Sequence, residues 1–121
     1  MSRRSDRGAA TIWVLAFGAV ILSVAMVMTA RGSAVLARHR LQHAADLTAL
    51  AAAQEIGRTP QPCAAASRIA AANAAVLVSC AIRLDRSGRS GTVVLTVRRT
   101  VSLPLVGART LTSWSRAGRM S

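Results

Sequence analysis

The sequence predicts an α+β protein in which one long N-terminal helix leads into a small domain of a helix and an antiparallel sheet. Three observations predict it. Ala9 to Ala30 is an apolar run without a charged residue. Helix-forming residues then continue without proline to Gly57. Near the C-terminus, two β-branched and aliphatic runs flank a glycine-containing loop. The reading divides the chain into a basic tail (1–8), a transmembrane helix (9–30), a projecting helix (31–57) and a small domain (58–121).

Composition narrows what that small domain can be. The chain has 121 residues and a net charge of +12, and every positive residue is Arg. Ala and Arg in place of Ile, Phe and Lys fit a GC-rich genome, so not every Arg needs a role. Tyr is absent and Phe17 lies in the apolar run, which leaves Trp114 as the one aromatic beyond it. A small domain with so little bulk is marginal alone and is expected to lean on a membrane or a partner.

The tail carries Arg3, Arg4 and Arg7 ahead of the apolar run, the n-region pattern of an export signal. A cleavage site at Ser23-Val24-Ala25 is disfavoured because the apolar run continues past it. A twin-arginine reading of Ser2-Arg3-Arg4 meets Asp6 where an apolar residue belongs. An uncleaved anchor, or one clipped only after Gly8, is the third reading. Arg31, Arg38 and Arg40 lie beyond the run, so charge favours the tail inside only slightly. As a helix, Ala9–Ala30 is about 33 Å long and matches a hydrocarbon core of about 30 Å.

From Arg31 to Ile56 the residues favour helix, with Gly32 as a place for a kink. Leu36, Leu47 and Leu50, with Ala44 and Ala51 beside them, form a narrow apolar stripe suited to packing on other helices. Gly57 suits a C-cap, and Pro60 and Pro62 prevent continuation. His39 and His43 have the i, i+4 spacing of a helical metal pair. Arg38 and Arg40 beside them disfavour a cation, so they read as a solvated face and no metal is expected.

The basic tail ending in Gly8, the apolar helix and the string QHAADLTALAAAQEIG together resemble the TadE/TadG-like proteins of tight-adherence (Flp-type) pilus systems. The nearest variant is the actinobacterial helicase/secretion-neighbourhood TadE-like family. Its most specific part here is Gln42, Ala44, Ala45 and Asp46, continuing through Ala49, Leu50, Ala51, Ala52 and Ala53. The resemblance covers residues 7 to 57 and extends to the remainder only in layout. It implies a minor pilin or pseudopilin with a cytoplasmic tail and an extracytoplasmic domain. It also implies pilin-like partner subunits, an inner-membrane assembly platform and a processing site at Gly8 and Ala9. One departure stands out. Trp13 occupies the fifth position from Ala9, where prepilins carry a Glu that pairs with a neighbour's N-terminus. Without that Glu, the resemblance leaves cleavage at Gly8 and incorporation into a long filament open.

In the small domain, AAASRIAAANAAV reads as a short helix after the linker RTPQPC. VLVSCAIRL and TVVLTVRRTVSL read as strands joined by DRSGRSG, and ARTLTSWSRAG as a third strand after the turn PLVG. This order matches a pilin-like architecture in outline. Cys63 and Cys80 lack the spacing of a metal knuckle. Outside the cytoplasm they would pair, tying the second helix to the first strand; inside it they would stay reduced.

The domain's Arg residues read as scattered over loop and strands, with no aromatic interleaved among them. A solvated face or contact with anionic lipid suits them better than nucleic acid, which is not expected as a partner. The four acidic residues, Asp6, Asp46, Glu55 and Asp85, are far apart in sequence. No nucleophile set, paired carboxylates or phosphate-binding loop is visible. The chain therefore reads as a non-enzyme without cofactor or small-molecule substrate. The runner-up to a pilus subunit is a stand-alone anchored protein whose basic domain binds envelope lipids or anionic polymers.

Overall fold

The computed structural model describes residues 6–120. Arg3 and Arg4 of the basic tail lie outside the described residues. The element order is α1 (Asp6–Glu55), α2 (Pro62–Ala72), β1 (Val76–Leu84), β2 (Gly91–Leu103) and β3 (Gly107–Arg119). The fold is α+β: a long apolar N-terminal helix, a short helix and a three-stranded antiparallel sheet.

Helix α1 holds 50 residues, about 75 Å at the usual rise. It runs unbroken through Gly32, because one glycine costs only about 1 kcal/mol amid good helix formers. The anticipated kink is therefore not needed. From Ala9 to Thr29 every residue except Gly18 is exposed, and this part of α1 is long and apolar enough to cross a membrane. Two of its polar side chains bond back to the helix itself: Ser23 Oγ donates to Ala19 O at 2.7 Å and Thr29 Oγ1 to Ala25 O at 2.8 Å. That local bonding spares both hydroxyls from being desolvated alone in hydrocarbon.

The second half of α1 is one wall of the core. Leu41, Ala45, Ala49, Ala52, Ala53 and Ile56 pack against Ala66 and Ala70 of α2 and Val93, Leu95 and Val97 of β2. Alanine along the contact lets helix and sheet backbones approach closely, which is how so few large side chains fill the interior. Gly57 takes the left-handed conformation (φ 75°) that ends α1, a position glycine fills without the cost of a Cβ.

Helix α2 starts at Pro62, two residues before the sequence-based start at Ala64. Proline suits the first turn because its missing N–H would lack a helical partner there anyway. Asn73 closes the helix, with Nδ2 donating to Ile69 O at 2.9 Å. Cys63 and Cys80 form a disulfide with Cα atoms 6.1 Å apart, tying α2 to β1.

The strands lie in the order β1-β2-β3. β1 pairs with β2 through Cys80↔Leu95 and Ile82↔Val93, with an irregularity at Leu77/Ser79. β2 pairs with β3 from Gly91↔Arg119 to Leu103↔Gly107. Alternate β2 residues are buried against the helices, and the sheet's other face is exposed.

Candidate assembly surface on the long helix

At about 100° per residue, the C-terminal half of α1 separates into opposed faces. One is the buried stripe just described. Leu36, Leu47 and Leu50 lie on the other, 50%, 53% and 52% exposed. Among the described residues no element buries them, though Leu36 borders a hollow with the end of β2, and Arg40, His43 and Gln54 are exposed along the same side. Ala44 does not stay with that outward stripe: it is buried, and Ala51 is half-buried.

The string around Gln42 docks the helix on its own sheet. Asp46 Oδ1 accepts from Ser115 Oγ at 2.7 Å and from Gln42 Nε2 at 3.1 Å. Gln42 Nε2 also donates to Trp114 O at 3.3 Å, and Ser113 Oγ donates to Gln42 Oε1. These polar groups edge a contact whose floor is Ala45 and Ala49, both fully buried. Spacing on α1 explains the pattern. Gln42 and Asp46 are one turn apart and meet inward positions of β3, while the alanines between and beyond them admit the sheet. Buried Thr48 is satisfied by Ala44 O at 2.6 Å.

Sequence reading missed the β3 partners. Ser113 and Ser115 alternate with Thr112, Trp114 and Arg116, a period-2 pattern that marks one side of the strand as small and polar. Arg119 was also missed: Nη1 donates to Gln54 O at 2.9 Å and Ile56 O at 2.6 Å. A guanidinium there satisfies carbonyls that the helix end leaves open and offsets their partial negative charge.

At the same end, the β1–β2 loop is organised by Asp85. Its carboxylate accepts from Ser90 Oγ, from Ser87 Oγ at 2.7 Å and from Ser87 N at 3.1 Å. The Ser90 and Ser87 hydroxyls hold this exposed carboxyl below its ordinary value. Arg89 of this loop lies against Gly57, where a Cβ would meet its Cα at 3.1 Å.

The uncovered sheet face corrects the reading of the Arg residues as scattered and lacking an aromatic. Register places Arg116 beside Val94, Trp114 beside Thr96, and Arg98 beside Val76 and Thr112. Trp114, 66% exposed, therefore sits between Arg116 on its own strand and Arg98 diagonally across. Strand alternation collects on one face what the linear sequence spreads out.

His39 and His43 are exposed on α1. Among the described residues no three His, Cys, Asp or Glu side chains cluster in a way that could hold a metal ion. Gly8 and Ala9 lie within the first turns of α1 and are exposed. Trp13, at the fifth position from Ala9, has its ring centroid 6.1 Å from that of Phe17.

Residues 8–55 match the family model described as "Tad: Putative Flp pilus-assembly TadE/G-like". No curated protein and no solved structure matches the chain. The matched segment is α1 almost in full: the apolar half, the outward leucines and the Gln42–Asp46 docking residues. The match supports involvement in Flp-type pilus assembly. Over this segment, though not beyond it, the chain is similar to the TadE/G-like proteins of Flp pilus assembly.

Proposed function

We propose that this protein is a non-enzymatic, membrane-anchored, minor pilin- or pseudopilin-like component of a tight-adherence-type pilus assembly or secretion system. The observation that carries the reading is the division of labour along α1. Its first half is an apolar rod of membrane-crossing length, exposed along its sides. Its second half is committed on one face to its own domain and leaves Leu36, Leu47 and Leu50 uncovered on the other. The rod holds the subunit in the inner membrane beside the assembly platform, and the leucine face meets helices of other pilin-like subunits.

The tail is cytoplasmic and the domain extracytoplasmic in this reading. The Cys63–Cys80 disulfide supports that orientation, because such bonds persist in oxidising compartments and are rare in the cytosol. Alkaline phosphatase fused at the C-terminus is the test. An active fusion is expected. An inactive one, with a cytoplasmic reporter fluorescent at the same site, overturns the orientation and the pilin-like role with it.

A second reading is favoured by one observation, the placement of Trp114 between Arg98 and Arg116 on an uncovered face. A flat indole beside guanidinium groups suits an anionic envelope polymer. In that case the protein acts alone as an anchored binding module, and the outward leucines have no partner subunit.

A further inference from the structure

The β2–β3 turn is apolar where a hairpin turn is ordinarily polar. Leu105 and Val106 are 78% and 52% exposed, and Leu105 has a left-handed backbone with φ 66°. Side chains other than Gly, Asn or Asp rarely take that conformation. The turn thus holds its largest apolar side chain outward at a backbone position where glycine would be the ordinary choice.

Its position relative to α1 follows from the contacts of β3. Arg119 reaches the carbonyls of Gln54 and Ile56, while Ser113 reaches Gln42. About six strand residues thus keep pace with about thirteen helix residues, roughly 20 Å along each. Carried from Ser113 back to Gly107, the same pace sets the start of β3 level with about residue 29 of α1. Two observations agree with that arithmetic. Leu103, the partner of Gly107, lines one hollow with Ser33 and Leu36. Partial burial on α1 also reaches back through Ala37, Ala34 and Ser33 to Ala30, and before Ala30 only Gly18 among the described residues from Gly8 on is not exposed. Ala30 is where the apolar run ends.

The charge around the turn is one-sided. Arg31 follows the apolar run directly, Arg99 and Arg40 line the hollow with Leu103, and Arg109 follows the turn two residues after Gly107. The acidic residues beyond Ala30 lie elsewhere: Asp46 is bonded to Ser115, Glu55 ends α1, and Asp85 is in the opposite hairpin.

Resting on the reading that α1 spans a bilayer, we propose that the tip of the β2–β3 hairpin, Leu105 and Val106, seats in the interfacial layer of that same bilayer. Arg31, Arg99 and Arg109 lie at the level of the lipid phosphates. Apolar side chains at the acyl boundary beneath basic ones at the headgroups are the pattern of an interfacial contact. The contact would add a second point of attachment and fix the domain's tilt over the membrane, which one helix cannot do. It would also direct the outward leucines along a set direction in the membrane plane.

The test uses the full chain in phosphatidylglycerol–phosphatidylcholine nanodiscs whose lipids are brominated near the headgroup end of the acyl chains. Leu105→Trp is placed in a Trp13→Phe, Trp114→Phe background, and Arg86→Trp in the opposite hairpin is the control. Val106→Trp repeats the measurement should Leu105→Trp fail to fold by circular dichroism. The expected result is indole quenching by brominated lipid several-fold stronger at 105 or 106 than at 86, with reduced access to aqueous acrylamide. Quenching no stronger than at 86, with free access to acrylamide, overturns the proposal. Shielding from both quenchers also overturns it, in favour of a second protein on the tip. Native Trp13, read in a Trp114→Phe chain, reports the anchor separately. Lipid quenching of Trp13 without quenching at the tip sinks the tip contact and leaves the anchor standing. No quenching of Trp13 removes the anchor and the tip contact together.

Discussion

Ser115 donates a 2.7 Å hydrogen bond to Asp46 Oδ1 across 69 residues of sequence, joining the last strand to the long helix. The bond lies at the edge of a contact built largely from alanine, where little apolar area is available per residue. Polar bonds with fixed partners therefore set the register of sheet on helix.

Removing one partner should expose that dependence. Asp46→Ala leaves the Ser115 hydroxyl without its acceptor and the Gln42 amide with Trp114 O alone, and a loss of about 1–3 kcal/mol is expected. Ser115→Ala should cost less, because Asp46 keeps the bond from Gln42. Equilibrium unfolding of the full chain in detergent measures both. A double-mutant cycle should give a coupling of about 0.5–3 kcal/mol; additive effects would show that the bond contributes nothing.

Arg119 offers a second, independent check. Arg119→Ala removes the donor to the carbonyls of Gln54 and Ile56, with an expected loss of about 1 kcal/mol. Amide hydrogen exchange should speed up in the last turn of α1 and not near Leu41. Uniform change along the helix would contradict a local capping role.

The disulfide should contribute more than either. It closes a loop with a separation of 17 residues, about 3 kcal/mol in the chain-entropy model. Thiol-specific mass tagging should add nothing before reduction and two tags after it. Reduction should lower the unfolding midpoint, and a Cys63→Ser, Cys80→Ser chain should match the reduced protein.

Asp85 supplies a pH signature. Its carboxyl is held below the ordinary value of 3.8 by the Ser90 and Ser87 hydroxyls. A depressed folded-state pKa stabilises above the unfolded value, and the contribution is lost as pH falls through the folded one. Stability should therefore decline below about pH 4, and more shallowly in Asp85→Asn. The group is exposed, so the difference should be small and confined to that acid range. Equal slopes in both chains would remove the loop from the account.

Much of this architecture was legible in the residues. Ala9–Ala30 has no charge to contradict a membrane span, and Val76–Leu84 is so rich in β-branched and aliphatic side chains that it reads as a strand throughout, although the preceding helix was carried through Val76 and ends at Ala72. The core face of α1 was not legible. Its alanines give almost no amphipathic contrast, so the eye is drawn to Leu36, Leu47 and Leu50, which the structure leaves outside. The long-range bonds of Asp46 and Arg119 were hidden for another reason. A serine or an arginine on a strand declares no partner until the register is known. The same holds for Trp114 and its flanking Arg residues, which strand pairing alone brings together.

The central claim is that the outward leucine face assembles with other subunits, and Leu47→Arg tests it most directly. Leu47 is 53% exposed and packs in no interior, so the variant should insert in the membrane, form its disulfide and unfold like the parent. Arginine there would set an unpaired charge in any helix–helix contact, at a cost of several kcal/mol. Co-purification of pilin-like partners from membranes should therefore be lost. Recovery of the same partners at the same yield would contradict the account, and the solitary anchored binding module would then be the better description.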